Sequence, residues 1–290
     1  MTATAAKDGL VLSDVWISTC PVCDSSLAPT RYVVHRVPIR QCSQCNHLVG
    51  AISEQAHSEA NLEWNKDEGT WPKSIRRLER RRLRTLRQAA VLLGRKMKGL
   101  RLLDVGCSNG SLLDIALRHG LDPEGVEPAE RAADDAIRRG FTVHKGYVES
   151  LSGSYDVITT FEVIEHLRDP LPMLSACYRL LVPGGILVVG TGNTDSWTFR
   201  VLGTRWDYMN PGTGHINYFS SHSLSRLAER AGFRLAKIST RAVSFRNRDQ
   251  PGYRFWKLIS QSLAIPARML GKGEQLEIFL RKPYADNSIG

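Results

Sequence analysis

Two cysteine pairs, one glycine-bearing turn and two late histidines are the features of this 290-residue chain whose types and spacing carry chemistry. Cys20-Pro-Val-Cys23 and Cys42-Ser-Gln-Cys45 form C-x2-C-x18-C-x2-C, the spacing of a zinc ribbon. Each C-x2-C lets two thiolates from one tight turn face one ion, and two such turns complete a tetrahedral S4 shell. A disulfide framework is the alternative, but a cytosolic chain of this length neither needs nor retains one. Four thiolates leave no open position for water, so the expected ion is a structural Zn2+ held by Cys20, Cys23, Cys42 and Cys45. His35, His47 and His57 are expected at the surface or behind the ligands.

Leu102-Leu103-Asp104-Val105-Gly106-Cys107-Ser108-Asn109-Gly110 is an apolar strand running into a turn that opens a helix, an arrangement that binds a cofactor by backbone. A dinucleotide fingerprint needs G-x-G-x-x-G, and Ser108 and Ser111 occupy two of its glycine positions. The turn also spells G-x-S-x-G, which would make Ser108 a nucleophile with His166 or His215 as base. Context opposes that reading, because the hydrolase fold places several strands ahead of its elbow. Here a cysteine module and one helix come first.

The composition, 42% apolar with 23% charged residues, is that of a globular protein and excludes disorder, collagen and coiled coil. The longest uncharged run, Leu180 to Thr194, contains Pro183-Gly184-Gly185 and is too short to cross a bilayer. Lys7 and Asp8 precede only a few apolar residues, so no secretory signal is read and a cytoplasmic location is expected. The net charge of +10 resides in one segment. From Lys73 to Lys98 eleven cations face Glu79 alone, and the rest of the chain sums to zero. A local basic patch points to an anionic partner.

Residues 1–52 read as a metal-stapled module too short to fold on a core of its own. Residues 53–98 read as a polar connector with Trp64 and Trp71, then a helix that Pro72 begins and Gly99 ends. Ile75, Leu78, Leu86, Ala89, Leu93 and Met97 give that helix an apolar face, with Arg77, Arg80, Arg81, Arg84 and Arg87 mostly opposite. From residue 99 to 290, short apolar runs alternate with helical stretches, the pattern of a parallel α/β sheet with crossover helices. Seven strands are expected: Arg101–Val105, Glu124–Glu127, Thr142–His144, Tyr155–Thr160, Ile186–Gly190, Arg234–Ser239 and Gln275–Leu280. Helices are expected at Leu112–His119, Ala129–Arg139, Pro172–Leu181 and Ser221–Ala231, with another from Tyr253 to Leu270 interrupted at Pro266. Residues 192–220 and 244–273 stand as insertions.

The Asp104–Gly110 turn resembles the D-x-G-x-G-x-G loop of class I S-adenosylmethionine-dependent methyltransferases, with Ser108 in place of the middle glycine. Four further pieces follow in order. Glu127 ends the next strand, Gly146-Tyr147-Val148-Glu149 follows the third, Phe161-Glu162-Val163-Ile164-Glu165-His166-Leu167 follows the fourth, and Leu181-Val182-Pro183-Gly184-Gly185-Ile186 precedes the fifth. The resemblance spans Lys98 to Lys282. It implies a seven-stranded Rossmann-like methyltransferase sheet of order 3-2-1-4-5-7-6, with strand seven antiparallel. It also implies that S-adenosylmethionine is held by Asp104, Gly106, Cys107, Ser108, Gly110, Glu127, Tyr147, Val148, Phe161 and Glu162. Glu127 would take the ribose hydroxyls.

Methyl transfer to a hydroxyl needs a base, and His166 and His215 are the candidates. Glu162, Glu165 and His166 also resemble the E-x-x-E-H motif that binds a divalent ion in ubiquinone-pathway O-methyltransferases. Trp197, Trp206 and Tyr208 with Asn193, Asn210 and Asn217 are expected to wall the acceptor site, rings covering C–H surface and amides fixing hydroxyls. The alternative is that Trp197 and Trp206 only pack the insertion against the sheet. The arrangement is similar to bacterial O-methyltransferases of glycan and secondary-metabolite pathways. O-methylation of a hydroxyl on a sugar-containing small molecule, a surface glycan or a secondary metabolite is expected, an anionic acceptor being one form of it. A nucleic-acid methyltransferase using the cysteine module and basic helix as a phosphate-binding arm is the second reading.

Overall fold

The computed structural model describes residues 15–66, 75–246 and 252–284, with the side chains of 62–66 and 75–77 left aside. The expectations for Lys7, Asp8, Trp71, Pro72 and Lys73 fall outside the described residues, as do residues 247–251 of the second insertion. The chain opens on three antiparallel strands, β1 (Leu27–Val34), β2 (Val37–Cys42) and β3 (Leu48–Gly50). Within the polar connector, α1 (Glu54–Lys66) starts where the Ser53 hydroxyl accepts a hydrogen bond from the Ala56 amide at 3.3 Å. The basic helix α2 (Ile75–Leu93) ends before Gly99. Gly94 takes a left-handed φ of +67° and stops it there, so Met97 packs from the turn beyond.

The α/β alternation follows: β4 (Arg101–Val105), α3 (Ser111–Arg118), β5 (Asp122–Glu127), α4 (Glu130–Arg138), β6 (Thr142–Lys145), β7 (Tyr155–Phe161), α5 (Leu171–Leu180) and β8 (Leu181–Gly192). Next come α6 (Trp197–Leu202), β9 (Asn217–Tyr218), α7 (Ser221–Arg230), β10 (Arg234–Arg241), α8 (Tyr253–Met269) and β11 (Gln275–Arg281). α8 runs without a break through Pro266, which lies in its last turn and removes only one helical N–H. No helix among the described residues is long and apolar enough to cross a membrane.

The seven strands lie in the order β6-β5-β4-β7-β8-β11-β10, and β11 runs antiparallel to both neighbours. This is the expected 3-2-1-4-5-7-6 sheet. Alternation along each strand divides the core between two faces. Leu102, Val157, Val188 and Phe279 meet Leu86 and Ala89 of α2 and Ile115 of α3. Leu103, Ile158, Val189 and Ile278 face the side covered by Leu174 of α5 and Leu224 and Leu227 of α7.

The second face also takes in the cysteine module. Ile17, Cys20, Val22 and Val49 share its cluster with Phe219 and Leu224. Arg230 of α7 donates to the Val22 carbonyl at 2.6 Å and pairs with Asp24 at 2.6 Å. Strand β3 pairs with β9, Leu48 opposite Tyr218 and Val49 opposite Asn217, which joins the module to the segment between β8 and α7. His47 and His57, expected at the surface or behind the ligands, are not at the surface but buried. His47 stacks on Phe219 at 4.6 Å, and its Nε2 donates to Asn217 Oδ1 at 2.9 Å. Burial pushes its pKa down to about 4, so the ring is neutral at pH 7. His57 lies 4.9 Å from the Trp16 ring, while His35 sits exposed in the β1–β2 turn.

Asn217 is fully buried, and its Nδ2 donates to the Leu167 carbonyl at 2.5 Å. Replacing it by alanine leaves both His47 Nε2 and that carbonyl without a partner, at about 1–3 kcal/mol for each buried group. Urea unfolding of Asn217→Ala is expected to show a stability loss of about 2 kcal/mol or more. A midpoint equal to that of the parent chain would mean the module is not locked to the sheet through this residue.

Candidate active site

The turn after β4 is braced against β5. The Gly106 and Cys107 amides donate to the Val126 carbonyl at 2.9 and 3.2 Å. Gly106 has φ +74°, and a Cβ there would strike Val163, so only glycine fits. Ser108 keeps the left-handed backbone of the glycine it replaces, with φ +48°. Cys107 turns its sulfur inward over Gly125, leaving only its backbone for a ligand. Glu127 closes β5, each carboxylate oxygen accepting one amide, from Ser108 and from Ala129, both at 2.9 Å. Four lone-pair sites minus two leave room for a pair of ribose hydroxyls.

Asp104 is buried beneath this turn and accepts the Thr159 hydroxyl at 2.7 Å. Burial pushes its pKa up to about 7, so it supports the turn more than it attracts charge. Tyr147 stands exposed, and Val148 beside it is buried. The residues at the carboxyl ends of β4 and β5 therefore fit S-adenosylmethionine: a turn open to backbone approach and an acid with spare acceptors.

Four polar side chains from two segments converge beyond β7. His166 and His215 meet edge-on with centroids 4.7 Å apart. Ligand atoms of Glu165, His166 and His215 lie within 4.8 Å of one another, and Glu162 is hydrogen-bonded to Glu165. Glu165 is fully buried and already accepts the Tyr208 hydroxyl at 2.7 Å and the Thr191 hydroxyl at 3.0 Å. Burial pushes Glu162 and Glu165 up, and the Glu165 charge adds to the rise of Glu162, so the pair retains a proton near neutrality. Burial and the neighbouring His215 drive His166 down to about 3, which leaves it a poor proton acceptor. His215 is lowered as well, first by burial, while the Tyr208 carbonyl and the Glu162 charge oppose the fall.

The backbone on both sides of His215 is fixed. The Ile216 amide donates to the Glu165 carbonyl at 2.9 Å, and the Ile216 carbonyl accepts from Gly50 at 2.8 Å. His215 Nδ1 lies 2.8 Å from the Tyr208 carbonyl, which can only accept. The proton therefore sits on Nδ1, and Nε2 keeps its lone pair. A Cβ on Gly192 would strike the Tyr208 ring, so that glycine admits the tyrosine to the site.

His215 and Glu162 open onto a cavity of about 790 Å3 walled by Trp206, Tyr208, Phe245 and Trp256 and also by the charged residues Arg205, Asp207, Arg246 and Glu274. Trp206 is buried and stacks on Tyr208 at 4.9 Å, so it both packs and lines. Trp197 packs with Val243, Phe245 and Ala267. The amides expected to fix acceptor hydroxyls are spent on the protein. Asn193 donates to the Gly271 and Gly273 carbonyls, Asn210 caps a short turn through Gly212, and Asn217 serves His47 and Leu167.

The four cysteine sulfurs also lie within 4.8 Å of one another. Cys20–Cys45, Cys23–Cys42 and Cys23–Cys45 are 3.6, 3.4 and 3.6 Å apart. These separations approach the roughly 3.8 Å edge of a tetrahedron with 2.3 Å metal–sulfur bonds. Asp24 and Asn46, each following the second cysteine of a pair, share left-handed φ values of 61° and 58°, so the two turns match. The donor set fits Zn2+.

Sequence reasoning missed Arg82 and Tyr208. Arg82 is buried with its guanidinium carbon 3.3 Å from the Phe161 ring centre, and burial lowers it to about 10. The signal was present, because position 82 falls four residues from both Leu78 and Leu86, on the apolar stripe of α2. Arg81 also turns inward, donating to Gln275 at 2.7 Å, so the cationic face is narrower than a helical projection suggests. Tyr208 was read as an aromatic wall. Its carbonyl and hydroxyl carry more of the site than its ring does.

Residues 73–238, more than half of the chain, match the family model described as a methyltransferase domain. The chain is 38% identical over 120 residues to a ubiquinone biosynthesis O-methyltransferase of Cereibacter sphaeroides, covering 38% of this chain and 49% of that protein. It spans about half the length of the curated relatives it matches. An S-adenosylmethionine-dependent methyltransferase from Thermotoga maritima superposes with a TM-score of 0.52 at 23% identity, covering 77% of this chain and 99% of that one. The magnesium protoporphyrin IX methyltransferase of Synechocystis, solved with bound S-adenosylhomocysteine, gives 0.52 at 16% identity over 78% and 94% of the two chains. With this sheet order, this turn after β4 and this match, the chain belongs to the methyltransferase-domain family and has the fold of the S-adenosylmethionine-dependent methyltransferases.

Proposed function

We propose that the chain methylates a hydroxyl oxygen on a ring-shaped acceptor held in the cavity beside β8, with His215 as general base. One observation carries the reading: the Tyr208 carbonyl fixes the His215 tautomer that leaves Nε2 able to take a proton, on a ring that lines the cavity. S-adenosylmethionine, when bound, supplies an electrophilic methyl carbon on a sulfonium sulfur. Glu127 and the 106–110 turn orient it. Alignment of acceptor and methyl carbon accounts for roughly 7–11 kcal/mol of barrier, and proton removal adds about 10²–10⁴ in rate. Glu162 lies beside the ring and, in its ionised form, favours the imidazolium that results.

The printed name of the Cereibacter relative refers to oxygen methylation in ubiquinone biosynthesis, which supports oxygen over nitrogen or carbon as the target. The aromatic rings of Trp206, Tyr208 and Trp256 on the cavity wall support a phenolic ring as the acceptor. We also infer that Zn2+ occupies the four thiolates and acts through folding, because a closed S4 shell offers no site for substrate.

Glu127→Ala is expected to weaken S-adenosylmethionine binding at least tenfold by calorimetry, consistent with about 1.5–3 kcal/mol for a hydrogen bond to a charged group. Unchanged affinity would remove Glu127 from the site.

His215→Ala is expected to lower kcat about 10²–10⁴-fold while leaving cofactor affinity intact. Because enclosure lowers the His215 pKa below 6.5, the ring is neutral at pH 7 and becomes protonated only on further acidification. The rate is therefore expected to hold level down through pH 6.5 and then fall. An acid limb centred at or above 6.5 would argue against this base.

Metal analysis is expected to find one zinc per chain, and Cys42→Ser to lower both Tm and zinc content. A zinc-free native protein with four freely titrating thiols would refute the ribbon.

A further inference from the structure

Helix α8 is apolar on two faces, and only one of them is used. Trp256, Ile259, Leu263 and Ala267 recur at three- and four-residue steps and pack with Val243, Phe245 and Trp197. On the other side Phe255, Leu258, Ile265 and Met269, spaced by three, seven and four, are 62%, 67%, 72% and 81% exposed. At 100° per residue these four fall within one 80° sector. The adjoining sector carries Arg254, Lys257 and Arg268. No aspartate or glutamate occurs between Gly252 and Gly273. Among the described residues nothing covers the stripe. A continuous exposed apolar face of this kind marks an interaction surface.

Charge decides the partner. At its carboxyl end α8 meets α2 and β10 in a cleft of about 100 Å3 lined by Arg84, Lys237, Arg241 and Arg268, with Glu277 as its one carboxylate. Arg241 is ion-paired to Glu277, and Lys237 donates to Gln88. Arg84 and Arg268 add two further cations that this single acid does not balance. A cationic cleft beside an apolar stripe with flanking Arg and Lys matches the layered chemistry of an anionic lipid surface, acyl chains below and phosphates above. A protein partner of ordinary composition would bring no such uniform negative layer.

We propose that α8 lies in the surface of an anionic bilayer, with Phe255, Leu258, Ile265 and Met269 among the acyl chains and Arg84, Arg254, Lys257 and Arg268 at the phosphate level. Trp256, on the inner face of the same helix, lines the acceptor cavity. Docking therefore sets that cavity one helix away from the lipid, which suits an acceptor dissolved in the membrane. That last consequence rests on the O-methylation reading, whereas the docking does not.

Sedimentation of the full chain with phosphatidylcholine vesicles, with and without phosphatidylglycerol, tests this at low and high salt. Binding is expected only to the phosphatidylglycerol vesicles and is expected to weaken as salt rises. Leu258→Glu with Ile265→Glu should reduce binding at least tenfold, and Arg268→Glu should reduce it and flatten its salt dependence. Both exposed-site variants should keep the parent's Tm and S-adenosylmethionine affinity. No binding to phosphatidylglycerol vesicles, or binding untouched by Leu258→Glu with Ile265→Glu, would overturn the proposal. Concentration-dependent self-association abolished by that variant, without vesicle binding, would assign the face to a second copy and overturn it too. The assay reads neither cofactor binding nor turnover, so its failure would leave the methyltransferase reading standing.

Discussion

The pairing of β3 with the segment Ile216–Tyr218 is the constraint on which the site depends. A strand from the cysteine module and a loop carbonyl from the end of β7 hold the same short stretch from opposite sides, through Gly50 and Glu165. Backbone hydrogen bonds at 2.8–2.9 Å leave His215 little freedom, and the Tyr208 carbonyl then selects its tautomer. The module is thus more than a solubility appendage. Its four cysteines, its contacts with α7 and the buried His47–Asn217 bond all stiffen the strand beside His215. Fixed geometry of this kind is what methyl transfer asks of a protein, since alignment is the larger part of the catalysis.

Burial governs the electrostatics of the site. His57, His166 and His215 gather within one enclosed region and all lose affinity for protons, because burial makes a charge costly. The Glu162–Glu165 pair shifts the other way for the same reason. Neutral rings beside a carboxyl pair that holds one proton form a set of groups able to accept or pass a proton without separating large charges. Glu165 meanwhile binds two hydroxyls, so its role is to fix Tyr208 and Thr191 more than to ligate an ion.

Helix α2 illustrates how a charge run divides its duties. Leu86 and Ala89 close one face of the sheet, Arg82 lies over Phe161 at the edge of the cofactor region, and Arg84 joins the cationic cleft with α8. A helical projection places charges on faces, but a long arginine can lie along an apolar surface and deliver its head group somewhere else. The excess charge of the segment is therefore spread over a core contact, a cleft and a surface.

Local pattern was sufficient for the sheet. Strands of alternating burial, glycine turns and crossover helices are encoded in neighbouring residues, so the seven strands, the Asp104–Gly110 turn and the C-x2-C pairs were legible without coordinates, while the lateral order of the strands came from the family resemblance. Resemblance extended this to Glu127 and to the family. What only the tertiary structure decided were relations between segments far apart in the chain: His47 with Asn217, Gly50 with Ile216, His166 with His215, and Arg82 with Phe161. Periodicity says which face a residue occupies and nothing about which distant face meets it. For the same reason Asn193 and Asn217 read as substrate ligands in sequence, whereas in the fold buried backbone carbonyls of distant segments claim their amides first, and Asn210 spends its Oδ1 on the Gly212 amide of its own turn.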